Sequence, residues 1–185
     1  MKVTVGVSNR HVHLTKETYD YLFRGKTIEK RNDLNQVGEF ASTDTVDVEY
    51  GGTKIEHVRV LGPFRNHNQI ELLGSDLKLF GLEAPVRRSG ELEGTPQVKL
   101  LANGREVLSD GVIRAERHVH VPTSKEDELG LHERDKVKII APSCEFYANV
   151  KVSDNGYFEV HIDKDEAAEF NLANRDEVEL ELCGR

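Results

Sequence analysis

The chain has 185 residues, with 25 Lys and Arg against 33 Asp and Glu, which gives a formal net charge of −8. This length suits one large domain or two small ones, and it is too short for an ordinary (β/α)₈ barrel of roughly 250 residues. Hydrophobic residues make up 37% and charged residues 31%, which is typical of a folded domain and not of a disordered chain. The acidic balance argues against a nucleic-acid-binding surface.

Several features predict a cytoplasmic protein. The uncharged apolar stretches fall far short of the ~20 residues that a membrane-spanning helix needs. The chain opens directly on a strand-like segment, Met1 to Val7, and no leader with a charged and then an apolar part precedes it. Two cysteines, Cys144 and Cys183, are too few for a disulfide framework.

Short apolar or alternating runs rich in Val and Ile predict β-strands along most of the chain. In chain order these strands are Lys2–Val7, Asp47–Glu49, Lys54–Leu61, Gln69–Leu73, Gln97–Leu101, Lys136–Ile140, Tyr147–Val152 and Tyr157–Ile162. Three short helices are predicted from their N-terminal capping residues: Thr15–Phe23, Thr123–Leu129 and Asp163–Phe170. Many short strands with few helices indicate small β-barrels or sandwiches.

One internal repeat stands out. The segment Arg10-His11-Val12-His13 recurs as Arg117-His118-Val119-His120, and in both copies a strand-like segment leads to a Thr and a helix signal. Two copies of one supersecondary unit suggest two related halves, although two copies are too few for a solenoid.

The repeated histidines indicate metal binding. In a strand, residues i and i+2 project from the same face, so each His-x-His can direct two imidazoles at one ion. Neutral imidazole nitrogen suits Zn²⁺. His161 and Glu71 each occupy a defined face of a predicted strand and are candidates for further ligands. The remaining histidines lack partners at ligand spacing and are predicted to lie on the surface.

Six segments together resemble the PduL-type phosphotransacylases, also called phosphate propanoyltransferases. They are Val5–Leu14, Leu61–Arg65, Ala84–Gly90, Gly94–Pro96, Gly111–Ile113 with Arg117–His120, and His161–Ala167. The segments keep the order of the family and span almost the whole chain. The resemblance is therefore far more specific than any one motif.

The resemblance implies an enzyme that exchanges an acyl group between coenzyme A and orthophosphate, with two zinc ions per chain. Carried over by position, one zinc set is His11, His13 and Glu71, and the other is His118, His120 and His161. Arg65 corresponds to the family's phosphate-binding arginine.

The resemblance also implies a mainly β fold of two small β-barrel domains packed against each other, with the metal site between them. One domain comprises residues 1–9 and 116–185, and the other comprises residues 10–115. It further implies a homodimer. The N-terminal extension that directs some relatives to microcompartments is not found in this sequence, which again suggests the cytoplasm.

Two positions depart from the family pattern. The family commonly has Gly-Gln-Phe where this chain has Gly38-Glu39-Phe40, and it often has basic-Thr-Gln-Val-Glu in place of residues 67–71. Neither change removes a proposed metal ligand, but both bear on substrate contacts. Acyl specificity therefore stays open.

Coenzyme A carries phosphate groups, and Arg87 and Arg88 are candidates to bind them, although exposed loop cations are an equally good interpretation. No convincing Ser/His/Asp or Cys/His arrangement is present, so we expect direct attack of phosphate in a ternary complex.

Two alternatives to the acyltransferase stay open. His11-x-His13-x-x-x-Glu17 matches the first metal signature of cupin oxygenases, but Glu17 falls in a predicted helix and no downstream cupin-type histidine segment follows. The other alternative is a non-catalytic module whose zinc ions only stabilise the fold. Arg65 argues against it, because a closed structural site has no need of an anion-binding arginine.

Overall fold

The computed structural model describes residues 1–154 and 156–183, which divide into two compact units. One unit comprises residues 1–9 with the described part of 116–185, and the other is Arg10–Ala115. The strands are β1 (Lys2–Ser8), β2 (His11–His13), β3 (Lys30–Asp33), β4 (Phe40–Tyr50), β5 (Thr53–Gly62), β6 (Gln69–Glu71), β7 (Val86–Arg87), β8 (Val98–Ala102), β9 (Arg105–Ser109), β10 (Val112–Ala115), β11 (His118–Pro122), β12 (Lys136–Ile140), β13 (Glu145–Ser153), β14 (Glu159–Asp163) and β15 (Glu177–Leu182). The helices are α1 (Lys16–Phe23), α2 (Gly74–Phe80), α3 (Glu126–Leu129) and α4 (Lys164–Phe170). The predicted mainly β class with short helices is thus confirmed.

The unit that contains both chain ends of the described part is a closed barrel with the strand order β1-β14-β11-β13-β12-β15. Strand β14 lies between β1, to which it is parallel, and β11, to which it is antiparallel. Alternate residues such as Val5, Val119 and Val160 point inward and are fully buried in one apolar core. Closure pairs the strands on both sides and leaves no open sheet edge.

The strands of the Arg10–Ala115 unit form a nine-stranded sheet with the order β7-β10-β6-β2-β5-β4-β8-β9, and β3 pairs with β4. This sheet curls into a half-barrel, whereas the sequence predicted a second full barrel. Its core contains Val12, Val60 and Ile70, together with Tyr19 and Leu22 from α1. Strand β6 lies inside this sheet, where it pairs with β2 on one side and with β10 on the other.

Two of the predicted helices are confirmed with their caps. The Thr15 side chain accepts a hydrogen bond from the Thr18 N–H at the start of α1. Asp163 and Glu166 form a capping box at the start of α4. Helix ends need such acceptors because their first N–H groups have no partner within the helix.

The third predicted helix differs from expectation. Residues Thr123–Lys125 form a 3₁₀ turn, and only Glu126–Leu129 is α-helical. The Thr123 hydroxyl donates to Asp154 Oδ1 at 2.9 Å and does not cap the helix. Helix α2 was not predicted, because it follows Leu73, which is not a capping residue type. In the described part of the chain, no helix is long and apolar enough to cross a membrane.

Candidate metal centres and anion site

The first ligand set is assembled by the pairing of two short strands. Strand β2 carries His11 and His13 on one face, and its antiparallel partner β6 places Glu71 directly opposite His11. His11 Nε2 lies 3.3 Å from Glu71 Oε2, and His13 Nε2 lies 4.0 Å from Glu71 Oε1. The three residues that the sequence nominated therefore offer ligand atoms within 4.8 Å of one another. We call this set the first centre.

The second ligand set repeats the arrangement in the barrel. Strand β11 carries His118 and His120, and its antiparallel partner β14 places His161 opposite His118. The Nε2 atoms of His118 and His120 are 3.1 Å apart, and the rings of His120 and His161 have centroids 4.8 Å apart. These three residues also offer ligand atoms within 4.8 Å of one another. We call this set the second centre.

The tautomer of His118 fits a metal ligand. Its Nδ1 lies 2.8 Å from the carbonyl oxygen of Glu116, a contact that requires the proton on Nδ1. The lone pair of Nε2 then faces the Nε2 of His120. A ring nitrogen fixed in this way is how proteins orient a metal-binding imidazole.

Burial keeps His120 in the form that binds a metal. His120 is 2% exposed, and its Nδ1 is buried without a hydrogen-bond partner in the described residues. Burial lowers the pKa of His120 from 6.5 to about 2, and the positive charge of nearby His118, His161 and Lys151 acts in the same direction. A neutral imidazole with a free lone pair is the ligand that Zn²⁺ takes, so the donor set fits zinc.

The Glu71 carboxyl is held in its charged form. Burial by itself raises its pKa, but His11, His13 and a hydrogen bond from Gln69 outweigh burial and hold that pKa well below its ordinary value. A carboxylate with two imidazoles is a donor set that zinc and other divalent transition metals accept.

The arginine of each repeat is part of the same scaffold. Arg10 binds Asp76, with Nε lying 2.8 Å from Oδ2, and Arg117 binds Glu166, with Nε 2.8 Å from Oε1. Both carboxylates sit in the first turn of the helix that follows the strand of the third ligand, namely α2 or α4. In each copy of the repeat, the arginine therefore ties the His-x-His strand to the helix that follows the strand of the third ligand.

Arg65 lies in a hydrogen-bond chain that leads to the first centre. Its backbone N–H donates to the Leu14 carbonyl at 2.9 Å, just beyond β2. Its Nη1 donates to Ser89 Oγ at 2.9 Å, and Gln69 Nε2 reaches both Ser89 Oγ at 2.9 Å and Glu71 Oε1 at 2.6 Å. A planar guanidinium held in this way can bind two oxygens of an anion.

Glu39 occupies one side of the same guanidinium. Its Oε1 accepts from Arg65 Nη2 at 2.9 Å, and the two side chains are 20% and 27% exposed. The neighbouring Phe40 ring lies over Gly62, where a Cβ atom would overlap it. Any anion that binds Arg65 through Nη2 must compete with this carboxylate.

The other arginines, cysteines and histidines considered from the sequence lie outside the two ligand sets. Arg87 and Arg88 are half-buried in the segment that leads directly to Ser89. Cys144 and Cys183 are free and partly buried, and neither belongs to a ligand set. His132 binds Glu126 at 3.2 Å in a surface turn, as expected for a histidine outside the site.

Sequence reasoning missed the residues around the ligands. Gln69 and Glu159 each lie two positions before the third ligand of a centre, and strand alternation could have identified them. Ser89 and Glu39 come from distant loops, and no local signal in the sequence brings them to Arg65.

A profile of the phosphate propanoyltransferase family matches residues 4–173. A phosphate propanoyltransferase of Limosilactobacillus reuteri is 37% identical over 178 residues, which cover 93% of this chain and 82% of that protein. Those of Levilactobacillus brevis and Thermotoga maritima are each 39% identical and cover 95% and 89% of this chain, and 85% and 82% of their own lengths. Among solved structures, a rationally designed protein, mkDPBB_sym_86, matches 37% of this chain and 76% of its own with a TM-score of 0.31 and 25% identity. The family resemblance is thus confirmed, and the chain belongs to the phosphate propanoyltransferase family of acyltransferase enzymes.

Proposed function

We propose that this chain is a zinc-dependent phosphate acyltransferase that interconverts a short-chain acyl-CoA plus phosphate with an acyl phosphate plus CoA. The observation that carries the proposal is the hydrogen-bond chain from the first centre through Gln69 and Ser89 to Arg65. It joins three metal ligands to a cation suited to phosphate. Family membership supplies the reaction class.

Arg65 binds and orients the phosphate. Phosphate carries up to two negative charges, so it needs compensating positive charge near the thioester. The guanidinium supplies that charge and fixes two oxygens at once. Ser89 and Gln69 hold Arg65 in register with Glu71, so that the bound phosphate keeps one orientation relative to the first centre.

Each centre would hold zinc through three protein ligands: His11, His13 and Glu71 in the first, and His118, His120 and His161 in the second. When bound, zinc supplies positive charge for phosphate and for the oxygen of the thioester carbonyl. Three protein ligands leave a coordination position open, as a catalytic site requires. The chain's own contribution at the second centre is to keep His120 neutral, which its burial supports, and to orient His118, which the Glu116 carbonyl supports.

The transfer is direct. A phosphate oxygen attacks the thioester carbonyl carbon, the carbon–sulfur bond breaks, and the sulfur leaves as CoA thiolate. Positioning and electrostatic stabilisation can lower such a barrier by on the order of 10 kcal/mol without a protein nucleophile. Cys144 packs at the edge of the barrel core and belongs to neither ligand set, so we expect Cys144→Ser to retain wild-type turnover within about twofold. A Cys144→Ser protein that folds and binds zinc but does not turn over would contradict direct transfer.

Arg87 and Arg88 are proposed to bind the phosphate groups of CoA. They directly precede Ser89 in the chain, and both residues are partly exposed. The family resemblance further supports a homodimer that acts in the cytoplasm.

The deciding experiment measures release of free thiol from acetyl-CoA and propanoyl-CoA by zinc-loaded protein. We expect release that requires phosphate, stops on chelation and returns when zinc is added back. Protein that holds zinc but releases no thiol from any short acyl-CoA would refute the proposal and favour a purely structural zinc module.

A further inference from the structure

A second residue of each ligand strand lies beside the third metal ligand. In the first centre, β6 places Gln69 opposite His13, two positions before Glu71. In the second centre, β14 places Glu159 opposite His120, two positions before His161. Gln69 and Glu159 therefore occupy the same position in the two copies of the repeat.

Gln69 and Glu159 make equivalent contacts with the third ligand, but the residue type that carries the negative charge differs between the two centres. Gln69 Nε2 donates to Glu71 Oε1 at 2.6 Å, so an amide supports a carboxylate ligand. Glu159 Oε1 lies 2.9 Å from His161 Nε2, so a carboxylate lies directly beside an imidazole ligand. The carboxylate and its neutral partner have changed places between the centres.

The exchange gives both centres one carboxylate. The first centre has two imidazoles and the carboxylate of Glu71, with a neutral amide beside it. The second has three imidazoles, and the carboxylate of Glu159 lies beside them. A buried divalent cation needs nearby negative charge, because the protein interior replaces the water that would otherwise solvate it. Each centre supplies one carboxylate for this purpose.

The space for Glu159 is specific to the second centre. Glu159 is 6% exposed, and β1 places Gly6 opposite His161. A Cβ atom at Gly6 would overlap both Glu159 Oε1 and the ring of His161. In the first centre the corresponding strand is β10, which places Ile113 opposite Glu71. Glycine therefore stands where the additional carboxylate needs room.

We propose that Glu159 is a positioning residue of the second centre, where it lies against His161 and supplies the negative charge that Glu71 supplies in the first centre. This inference rests on the proposed function, since it assumes that both centres bind a divalent cation. It assigns a role to a residue that is not itself one of the three ligands.

The test substitutes Glu159→Gln in the full-length protein and measures Zn²⁺ affinity by competition with a chromophoric chelator. We expect one of the bound ions to weaken about 10- to 100-fold, as changes around a ligating histidine commonly do, while the other is unaffected. With Co²⁺ in place of zinc, the absorption bands of the second centre should shift. Glu179→Gln on the exposed face of the same barrel is the control, and it should match wild type in both measurements.

A double variant separates charge from simple structural damage. Glu159→Gln combined with His161→Glu gives the second centre the composition of the first. We expect its zinc affinity to recover to within about tenfold of wild type, because the carboxylate has only moved to the ligand position. Failure to recover would overturn the charge exchange, since a properly placed carboxylate would then be insufficient.

The outcomes for this inference and for the proposed function are distinct. Wild-type protein that binds zinc at both centres, together with an unchanged affinity and Co²⁺ spectrum in Glu159→Gln, would overturn the role of Glu159 alone. Wild-type protein that binds no zinc at either centre would overturn both.

Discussion

The two centres have the same backbone arrangement and differ in the side chains that surround the ligands. In each, a His-x-His strand pairs antiparallel with the strand of the third ligand, and an arginine binds a carboxylate in the helix that follows. Around the first centre lie Gln69, Ser89 and Arg65. Around the second lie Glu159 and Tyr157, whose hydroxyl is 3.0 Å from His161 Nε2.

The two parts of a centre therefore have different tasks. The shared backbone arrangement places side chains that can hold a cation, and the residues around the first centre are suited to bind an anion. The shared backbone explains why both sets converge within 4.8 Å, because register alone brings three side chains together. In the described residues, hydrogen bonds link the first centre to Arg65, which is partly exposed. Phosphate dependence should therefore respond to changes around the first centre, and metal content should respond to changes in both.

The largest effect is expected from removing a ligand, and His11→Ala and His118→Ala compare the two centres directly. Each variant should lose zinc from its own centre and retain it in the other, and activity should fall by more than the roughly 100-fold that outer residues can cost. Elemental analysis and steady-state rates measure both effects. His57→Ala, at an exposed position, is the control. If both variants kept full zinc and full activity, the ligand assignment would be wrong.

The next largest effect separates the centres, because Arg65→Ala should change phosphate use and leave the zinc content intact. A charge-assisted hydrogen bond contributes about 1.5–3 kcal/mol, so the KM for phosphate should rise tenfold to about 100-fold. The KM for acyl-CoA should change much less. Arg31→Ala, an exposed arginine on β3, is the charge-matched control. An unchanged KM for phosphate would remove Arg65 from the phosphate site.

Much of the fold and of the ligand sets could be predicted from the sequence, because both depend on short-range patterns. Strand alternation identifies β12 to the residue, and capping residues identify α1 and α4. The acidic alternation of β15 was overlooked although its pattern is regular. Helix α2 carries no polar cap before it, and the open sheet of the Arg10–Ala115 unit depends on which strands meet, which no local pattern specifies.

The surroundings of the ligands show where sequence reasoning stops. The histidine doublets are visible because i and i+2 share a strand face, and the same rule could have identified Gln69 and Glu159. The contact of Arg65 with Ser89 joins residues 24 positions apart, and that with Glu39 joins residues 26 positions apart, in separate loops. Such contacts follow from tertiary packing alone.

A smaller effect concerns the stability of the shared scaffold. Arg10 and Arg117 each bind a buried carboxylate, but Arg117 also lies 5.1 Å from the centre of the Phe170 ring. We expect Arg10→Gln to lower the free energy of unfolding by about 1.5 kcal/mol, and Arg117→Gln by about 2 kcal/mol, because the cation–π contact is lost as well. Urea titration of the metal-free protein measures both. Equal losses would show that the aromatic contact contributes nothing.

The smallest effect tests whether Glu39 competes with phosphate for Arg65. Glu39 binds the guanidinium of Arg65, the proposed phosphate site, and both side chains are partly exposed, so the ion pair contributes about 0.2–1 kcal/mol. Glu39→Gln should therefore lower the KM for phosphate by up to about fivefold. Turnover at saturating phosphate should stay unchanged, because the competitor is already displaced under that condition. Glu93→Gln, an exposed position, removes the same charge elsewhere and should leave the KM unchanged. A rise in KM in Glu39→Gln would mean that the carboxylate orients Arg65 for phosphate and does not compete with it.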